Sequence, residues 1–263
     1  RRILAFYGIR TNSEIVWKSS KARRYYVDGR AETLPPIEQI KADMPRLREY
    51  IAMRSEEELD KEDEIIIKNY RRSSAINTGY LNSLEDKAFS FVKEKVTKYS
   101  ERMFFISFSG GKDSTVVSDL VRRALSRSDI PHIFGDTTLE DKFTYEYIKQ
   151  FRKENPLVLL FEKRANHDFY KLVEVIGPPS KVMRWCCTIF KAGPINDLLS
   201  AFSGEKKVVS FYGIRRSESL QRSSYSADTD GAKIGSQVTV SPIIDWGEFD
   251  VWLYILSHGL SFD

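Results

Sequence analysis

Six consecutive residues, Ser109-Gly110-Gly111-Lys112-Asp113-Ser114, stand between an apolar run from Met103 to Phe108 and a segment of helical period. They restrict the chain to folds in which a buried strand passes into a helix through a tight turn. Phe104, Phe105, Ile106 and Phe108 form the short aromatic-rich run expected of a central strand. Val116, Val117, Leu120, Val121, Ala124 and Leu125 then recur as one helical stripe. Two adjacent glycines let the backbone approach an anion closely. The first amides of the helix point at that anion with the positive end of the dipole. Lys112 adds a full charge, and Ser109 and Ser114 add hydroxyl donors. The stretch reads as a phosphate-binding turn, against the blander reading of a Gly-Gly turn beside a solvated lysine. It is not a Walker A loop, in which four residues separate the glycines.

Composition narrows the class. With 41% hydrophobic and 30% charged residues among 263, the chain has the balance of a soluble globular protein. No apolar run approaches the roughly 20 residues that span a bilayer, and the first residues lack the apolar core of a signal peptide, so a cytoplasmic location and no membrane partner are expected. The only two cysteines, Cys186 and Cys187, are adjacent, which excludes a disulfide framework. The net charge of +4 is mild, but the basic residues cluster, which suits a polyanionic partner.

The first 82 residues differ from the rest. Residues 1–35 are expected to be a basic, β-ribbon-like arm, with Ile3 to Tyr7 as a strand and Lys18, Lys21, Arg23 and Arg24 beside Tyr25 and Tyr26. Basic residues interleaved with tyrosines suit a nucleic-acid backbone; the blander reading, a twisted ribbon with a solvated face, stands ahead of it. Leu34-Pro35-Pro36 breaks the chain. Residues 36–82 read as a charged helical linker, with its helix over Met44 to Ile67, and residues 83–263 as the main domain.

Within that domain a helix from Ser83 to Tyr99 leads to the turn. Ile130 to Gly135 is a strand ending in Asp136-Thr137-Thr138, and ligands of open parallel sheets gather at such carboxyl ends. Asp136 is placed to meet a nucleotide or its Mg²⁺, or else Asp136 or Thr138 caps the helix Leu139 to Lys153, whose apolar face is Phe143, Tyr147, Ile148 and Phe151. Leu157 to Phe161 supplies a third strand. Arg184 and Lys191 flank Cys186 and Cys187, an electropositive setting expected to lower thiol pKa and favour metal ligation, with small buried hydrophobes as the alternative. Lys207 to Ile214 is a further strand, ending in Gly213-Ile214-Arg215-Arg216, a segment suited to a second anion. Phe211 to Arg215 repeats Phe6 to Arg10 letter for letter, which coincidence explains. Residues 223–236 read as a mobile polar loop, Asp245 as an N-cap-region residue, and Glu248 to His258 as the last helix. The three histidines show no metal spacing.

The S-G-G-K-D-S turn resembles the PP-loop of the N-type ATP pyrophosphatases, in which the loop holds the β,γ-pyrophosphate while a nucleophile attacks the α-phosphorus. Together with G-D-T-T at 135–138, W-C-C-T at 185–188, G-I-R-R-S-E-S at 213–219 and P-I-I-D-W at 242–246, it resembles the phosphoadenosine phosphosulfate (PAPS) reductase family over about two thirds of the chain. The resemblance implies an α/β fold of the adenine nucleotide alpha hydrolase type, a doubly wound five-stranded parallel sheet with a basic amino-terminal extension. It implies that ATP meets Ser107, Phe108, Ser109, Gly110, Gly111, Lys112, Asp113, Ser114, Asp136, Thr137, Gly213, Ile214 and Arg215. Lys112, Asp113 and Ser114 would act in catalysis, Arg184, Lys191, Arg215 and Arg216 would bind anions, Cys186 and Cys187 would be two ligands of a [4Fe-4S] cluster, and Asp113 or Asp136 would face Mg²⁺.

Three departures direct the functional expectation. The family's reductases carry a loop without the Lys-Asp pair, whereas here it is intact, which favours cleavage of ATP between the α and β phosphates. A cluster needs four thiolates and two are present, so the sequence is expected to continue past residue 263. The basic arm is foreign to the simple reductases. The combination resembles the ATP pyrophosphatase component of DNA phosphorothioation systems, which implies adenylation of a DNA backbone phosphate and sulfur supplied by a cysteine desulfurase or another sulfur-transfer subunit. The alternatives are an assimilatory PAPS or adenylylsulfate reductase, and a non-catalytic nucleotide-binding scaffold.

Overall fold

The computed structural model describes residues 2–9, 16–18, 23–53, 56–180, 182–203, 207–219, 222–230 and 237–262. Lys21 of the basic arm, Arg10 of the repeated pentapeptide, Lys181 ahead of the cysteine pair and 231–236 of the polar loop lie outside the described residues. The chain divides into two compact units, Arg1–Ile76 and Asn77–Asp263.

The first unit opens with a short helix, α1 (Arg2–Phe6), where a strand was expected. Five apolar residues in a row fit a buried helical turn as well as a strand, and length alone cannot separate them. Here Leu4 is buried with Val27 and Leu34. An antiparallel meander follows, β1 (Val16–Lys18), β2 (Arg24–Val27) and β3 (Arg30–Thr33). Val27 pairs with Arg30 across Asp28-Gly29, both at positive φ (51° and 77°), the backbone that a two-residue hairpin turn demands. Lys18, Arg23 and Arg24 are exposed. Two helices follow, α2 (Ile37–Ala52) and α3 (Glu56–Ile76), so helix occupies a longer stretch than Met44 to Ile67. The Tyr7 hydroxyl donates to Asp43 Oδ2 at 3.0 Å, joining the end of α1 to α2.

The second unit begins with α4 (Thr78–Lys98), five residues earlier than expected, and continues through β4 (Phe104–Ser107), α5 (Lys112–Leu125), β5 (His132–Asp136), α6 (Lys142–Glu154) and β6 (Leu160–Arg164). After α7 (Phe169–Ile176) and the single turn α8 (Trp185–Cys187), a π turn over Thr188–Ala192 leads into α9 (Gly193–Ser203). The strands β7 (Val208–Phe211), β8 (Asp228–Asp230) and β9 (Gln237–Val240) and the helix α10 (Glu248–His258) complete it.

Its sheet runs β6-β5-β4-β7-β9-β8. The five strands β6, β5, β4, β7 and β9 are parallel, as expected, and β8 adds an antiparallel edge. That edge lies in what reads as a mobile loop. Asp-Thr-Asp has no apolar alternation, and the segment is held by its ladder to β9 and by Lys95 and Lys98 on Asp228. Chain order reverses direction between β4 and β7, which makes that junction the switch point. On one face, α4, α5 and α10 cover Ile106, Val209, Phe211, Val238 and Val240. Phe105, Ile133 and Val208 pack on Ile195 and Leu199 of α9. Phe108 and Phe134 pack under Tyr147, Ile148 and Phe151 of α6, while Phe143 of that helix is exposed. The repeated pentapeptide takes two conformations: Phe6 ends a helix and Phe211 ends a strand.

Candidate nucleotide site

The turn at the switch point is built by its own backbone. Phe108 closes β4 with its amide on Ile133 O and its ring in the core, so only its backbone borders the turn. Ser107 shares a hydrogen bond with the hydroxyl of Tyr212, whose pKa burial raises. Gly110 has φ +86°, and a Cβ there would stand 3.3 Å from Tyr147 Cδ1, so both its conformation and its packing call for glycine. Gly111 is the N-cap of α5. Ser114 is buried beneath the turn. Its Oγ donates to Gly111 O at 2.8 Å and accepts from Ser109 N at 3.2 Å, bracing the loop. As at any helix start, the opening amides of α5 have no carbonyl of their own helix to donate to, and a carboxylate or phosphate is favoured there.

Lys112 and Arg215 converge on one carboxylate. Lys112 Nζ lies 3.3 Å from Asp113 Oδ2, and Arg215 Nε donates to Asp113 Oδ1 at 2.7 Å. The approach requires Gly213: a Cβ there would lie 2.8 Å from the Asp113 carbonyl carbon and 2.9 Å from its oxygen. Ile214 links that contact to Arg215, whose Nη1 donates to Ser217 Oγ at 3.1 Å. Arg216 turns the other way, pairing with Asp245 and donating from Nε to Tyr225 O. Asp245 is therefore an arginine partner and not a cap; the N-cap of α10 is Gly247, whose amide donates to Asp250 Oδ2 at 2.7 Å. Both arginines of the second-anion segment thus already face carboxylates.

Asp136 ends β5 as expected, but it caps nothing. Asp141 caps α6 by accepting from Phe143 N, while Asp136 Oδ1 accepts from Thr138 N at 2.8 Å and from the Tyr145 hydroxyl at 2.7 Å. Arg164 Nε donates to Asp136 Oδ2 at 2.7 Å. Burial pushes the Asp136 pKa up, and the Tyr145 hydroxyl, the Thr138 amide and Arg164 outweigh it and hold the carboxyl below its ordinary value. Burial, aided by Asp136, pushes the Tyr145 hydroxyl up to about 12. Thr137 Oγ1 donates to Glu140 Oε1 at 2.8 Å.

Neither carboxylate fits a magnesium ion in this arrangement. Both oxygens of Asp113 face cations, both oxygens of Asp136 already accept hydrogen bonds, and a cation would compete with Lys112, Arg215 or Arg164. The cysteine pair does not complete a cluster either: a [4Fe-4S] group takes four thiolates, and among the described residues no group of three His, Cys, Asp or Glu side chains could hold a metal. Cys187 is exposed, with Arg184 Nη2 3.7 Å from its Sγ, and Lys191 is exposed on the π turn. The expected lowering of thiol pKa fails for Cys186. Burial raises it, and the neighbouring Cys187 adds to that because two thiolates side by side repel.

Arg164 and Tyr145 escaped the sequence reading, and Tyr147 entered it only as part of the apolar face of its helix. The Tyr147 hydroxyl lies 3.1 Å from Thr115 Oγ1 and donates to Ser261 O at 2.9 Å, tying α6 to the start of α5 and to the segment after α10. Among the described residues no helix is long and apolar enough to cross a membrane.

Comparison with known proteins agrees with this architecture. An uncharacterized protein of Methanocaldococcus jannaschii is 34% identical over 191 residues, 72% of this chain and 44% of that protein, so the chain spans less than half of that relative's length. An adenosine 5'-phosphosulfate reductase of Staphylococcus epidermidis is 26% identical over 203 residues, 76% of this chain and 80% of the reductase. The solved U34-tRNA thiolase of Methanococcus maripaludis with its [4Fe-4S] cluster shares the fold, with a TM-score of 0.51 at 14% identity, covering 71% of this chain and 66% of the thiolase. The model of the phosphoadenosine phosphosulfate reductase domain matches residues 103–262, from the start of β4 through the segment after α10, and on that match the chain belongs to the phosphoadenosine phosphosulfate reductase domain family, as one of its nucleotide-binding α/β domains.

Proposed function

We propose that the chain is an ATP pyrophosphatase that activates an acceptor for sulfur transfer. An acceptor oxygen attacks the α-phosphorus of ATP, the bond to the bridging α,β oxygen breaks, and pyrophosphate leaves with the electron pair, giving an adenylylated acceptor. Sulfur at the sulfide level then displaces AMP. The observation that carries this reading is Lys112 at the start of α5, directly after the Gly110-Gly111 turn that follows β4. In that position the lysine and the amides would stabilise the negative charge that grows on the leaving pyrophosphate. The intact Lys-Asp pair supports ATP over a substrate that is already activated.

The acceptor we favour is a DNA backbone phosphate. The support is the exposed Lys18, Arg23 and Arg24 beside the exposed Tyr26 in the first unit, a pattern suited to a phosphate backbone with rings available for stacking. A cysteine desulfurase or a related subunit would supply the sulfur as a persulfide, which a thiol reductant brings to the sulfide level as the thiols are oxidised to a disulfide. The test is anaerobic measurement of pyrophosphate and AMP from ATP, given as its magnesium complex, in the presence of sulfide and with and without duplex DNA. Equal pyrophosphate and AMP, rising with DNA, is the expected result. Sulfite from PAPS and a thiol reductant, without pyrophosphate release, would place the chain among the reductases instead.

A further inference from the structure

Three arginines end strands or follow them at the carboxyl edge, and Arg164 differs from the others in its surroundings. The Arg215 side chain is closed against Asp113 and only 5% exposed. That of Arg164 is 64% exposed, over an Asp136 side chain that is 6% exposed. Its Nε and Nη2 both meet Asp136 Oδ2, at 2.7 and 2.6 Å. Asp136 cannot swing, because its other oxygen accepts from Tyr145 and from the Thr138 amide. One edge of the guanidinium is therefore anchored and the remainder of the plate faces solvent. A lone surface ion pair gains little; an anchored cation with an open face is pre-organised for a ligand.

Register gives its distance from the turn. Ser107 pairs with Ile133 and Asp136 pairs with Arg164, so the path from β4 into the turn, β5 and β6 lie side by side. Strands stand about 4.8 Å apart, which puts the Arg164 backbone about 10 Å from the path of β4 into the turn. On the opposite flank Gly213 and Arg215 close against Asp113. A ligand whose phosphates rest on the turn is left the β5 and β6 side, and a nucleoside attached to those phosphates reaches about as far as Arg164.

We propose that Arg164 receives the nucleoside end of the nucleotide, laying the free face of its Asp136-anchored guanidinium on the base. This rests on the phosphate-binding reading of the turn. A guanidinium stacks on aromatic rings, which an ammonium does with a compact charge and no plate. Asp136 is then a positioning residue acting through Arg164.

Calorimetric titration of the full chain with ATP and with tripolyphosphate, which has no nucleoside, tests the assignment. Arg164→Gln and Arg164→Lys are expected to weaken ATP about tenfold and to leave tripolyphosphate unchanged. The exposed side chain makes both variants compatible with folding, and thermal melting checks it. Unchanged ATP affinity in Arg164→Gln, equal weakening of both ligands, or full rescue by lysine overturns the proposal. Failure of the unsubstituted chain to bind tripolyphosphate overturns the phosphate reading of the turn itself, a different result from any of these.

Discussion

Arg215 Nε lies 2.7 Å from Asp113 Oδ1, joining the loop after β7 to the first turn of α5 across 102 positions of sequence. Arg215 is nearly buried, so removing either partner leaves a charge with incomplete compensation. Arg215→Met and Asp113→Asn are each expected to cost about 3 kcal/mol. The double variant is expected to cost clearly less than the two together, with a coupling above about 1 kcal/mol. Urea unfolding of the four proteins measures it, and strict additivity would show that the pair is not an energetic unit.

Gly213 makes that contact sterically possible. A methyl group would meet the Asp113 backbone, which has no side-chain freedom with which to move aside. Gly213→Ala is expected to destabilise by about 1–3 kcal/mol and to weaken nucleotide binding, because the displaced segment belongs to the turn. Gly79 is the contrast: it sits inside α4, and a methyl group added there would meet nothing within 4 Å. Gly79→Ala is expected to stabilise by roughly 0.5–1 kcal/mol. Melting curves with the same sign for both variants would contradict the steric account.

The turn and the stripe of α5 were legible because every determinant is local: aromatic strand, paired glycines, lysine and apolar period all fall between Phe104 and Leu125. The pairing of Asp113 with Arg215 was not, since both were read as facing ATP and only the fold brings the two, 102 positions apart, onto each other. Arg164 was hidden for another reason. Leu157 and Leu159 look like strand residues but are exposed, and the strand begins three residues later than Leu157. An edge strand carrying Glu162, Lys163 and Arg164 has no buried alternation to announce it. Ile3 to Tyr7 failed in the opposite direction, five apolar residues forming a helix end where a strand was equally compatible.

Lys112 is partly exposed and its ion pair with Asp113 contributes at most about 1 kcal/mol to stability. Its proposed work is on charge that exists only as pyrophosphate leaves. Lys112→Ala is therefore expected to slow pyrophosphate release about 10²–10³-fold while the melting temperature moves little. Steady-state release with a coupled pyrophosphate assay reads the first quantity and calorimetry the second. A rate equal to that of the unsubstituted chain would remove Lys112 from the reaction.

His132 gives the fold a pH dependence of its own. It is fully buried at the start of β5, with Nδ1 2.8 Å from Ile130 O and Nε2 2.8 Å from Ser118 Oγ. The carbonyl can only accept, so Nδ1 carries the proton and Nε2 accepts from the serine hydroxyl, which satisfies the neutral ring completely. Burial lowers its pKa to about 4; the Ile130 carbonyl opposes that and Arg122 adds to it. In the unfolded chain the ring titrates near 6.5. The unfolded state therefore takes up the proton first on acidification, and the stabilisation present above about pH 6.5 is lost as the pH falls toward about 4, amounting to about 3 kcal/mol. Urea unfolding at several pH values in this window, compared with His132→Asn, isolates the effect from carboxylates that titrate lower. The variant starts less stable and is expected to have the shallower slope, and parallel slopes would show that His132 does not set the acid limit of the fold.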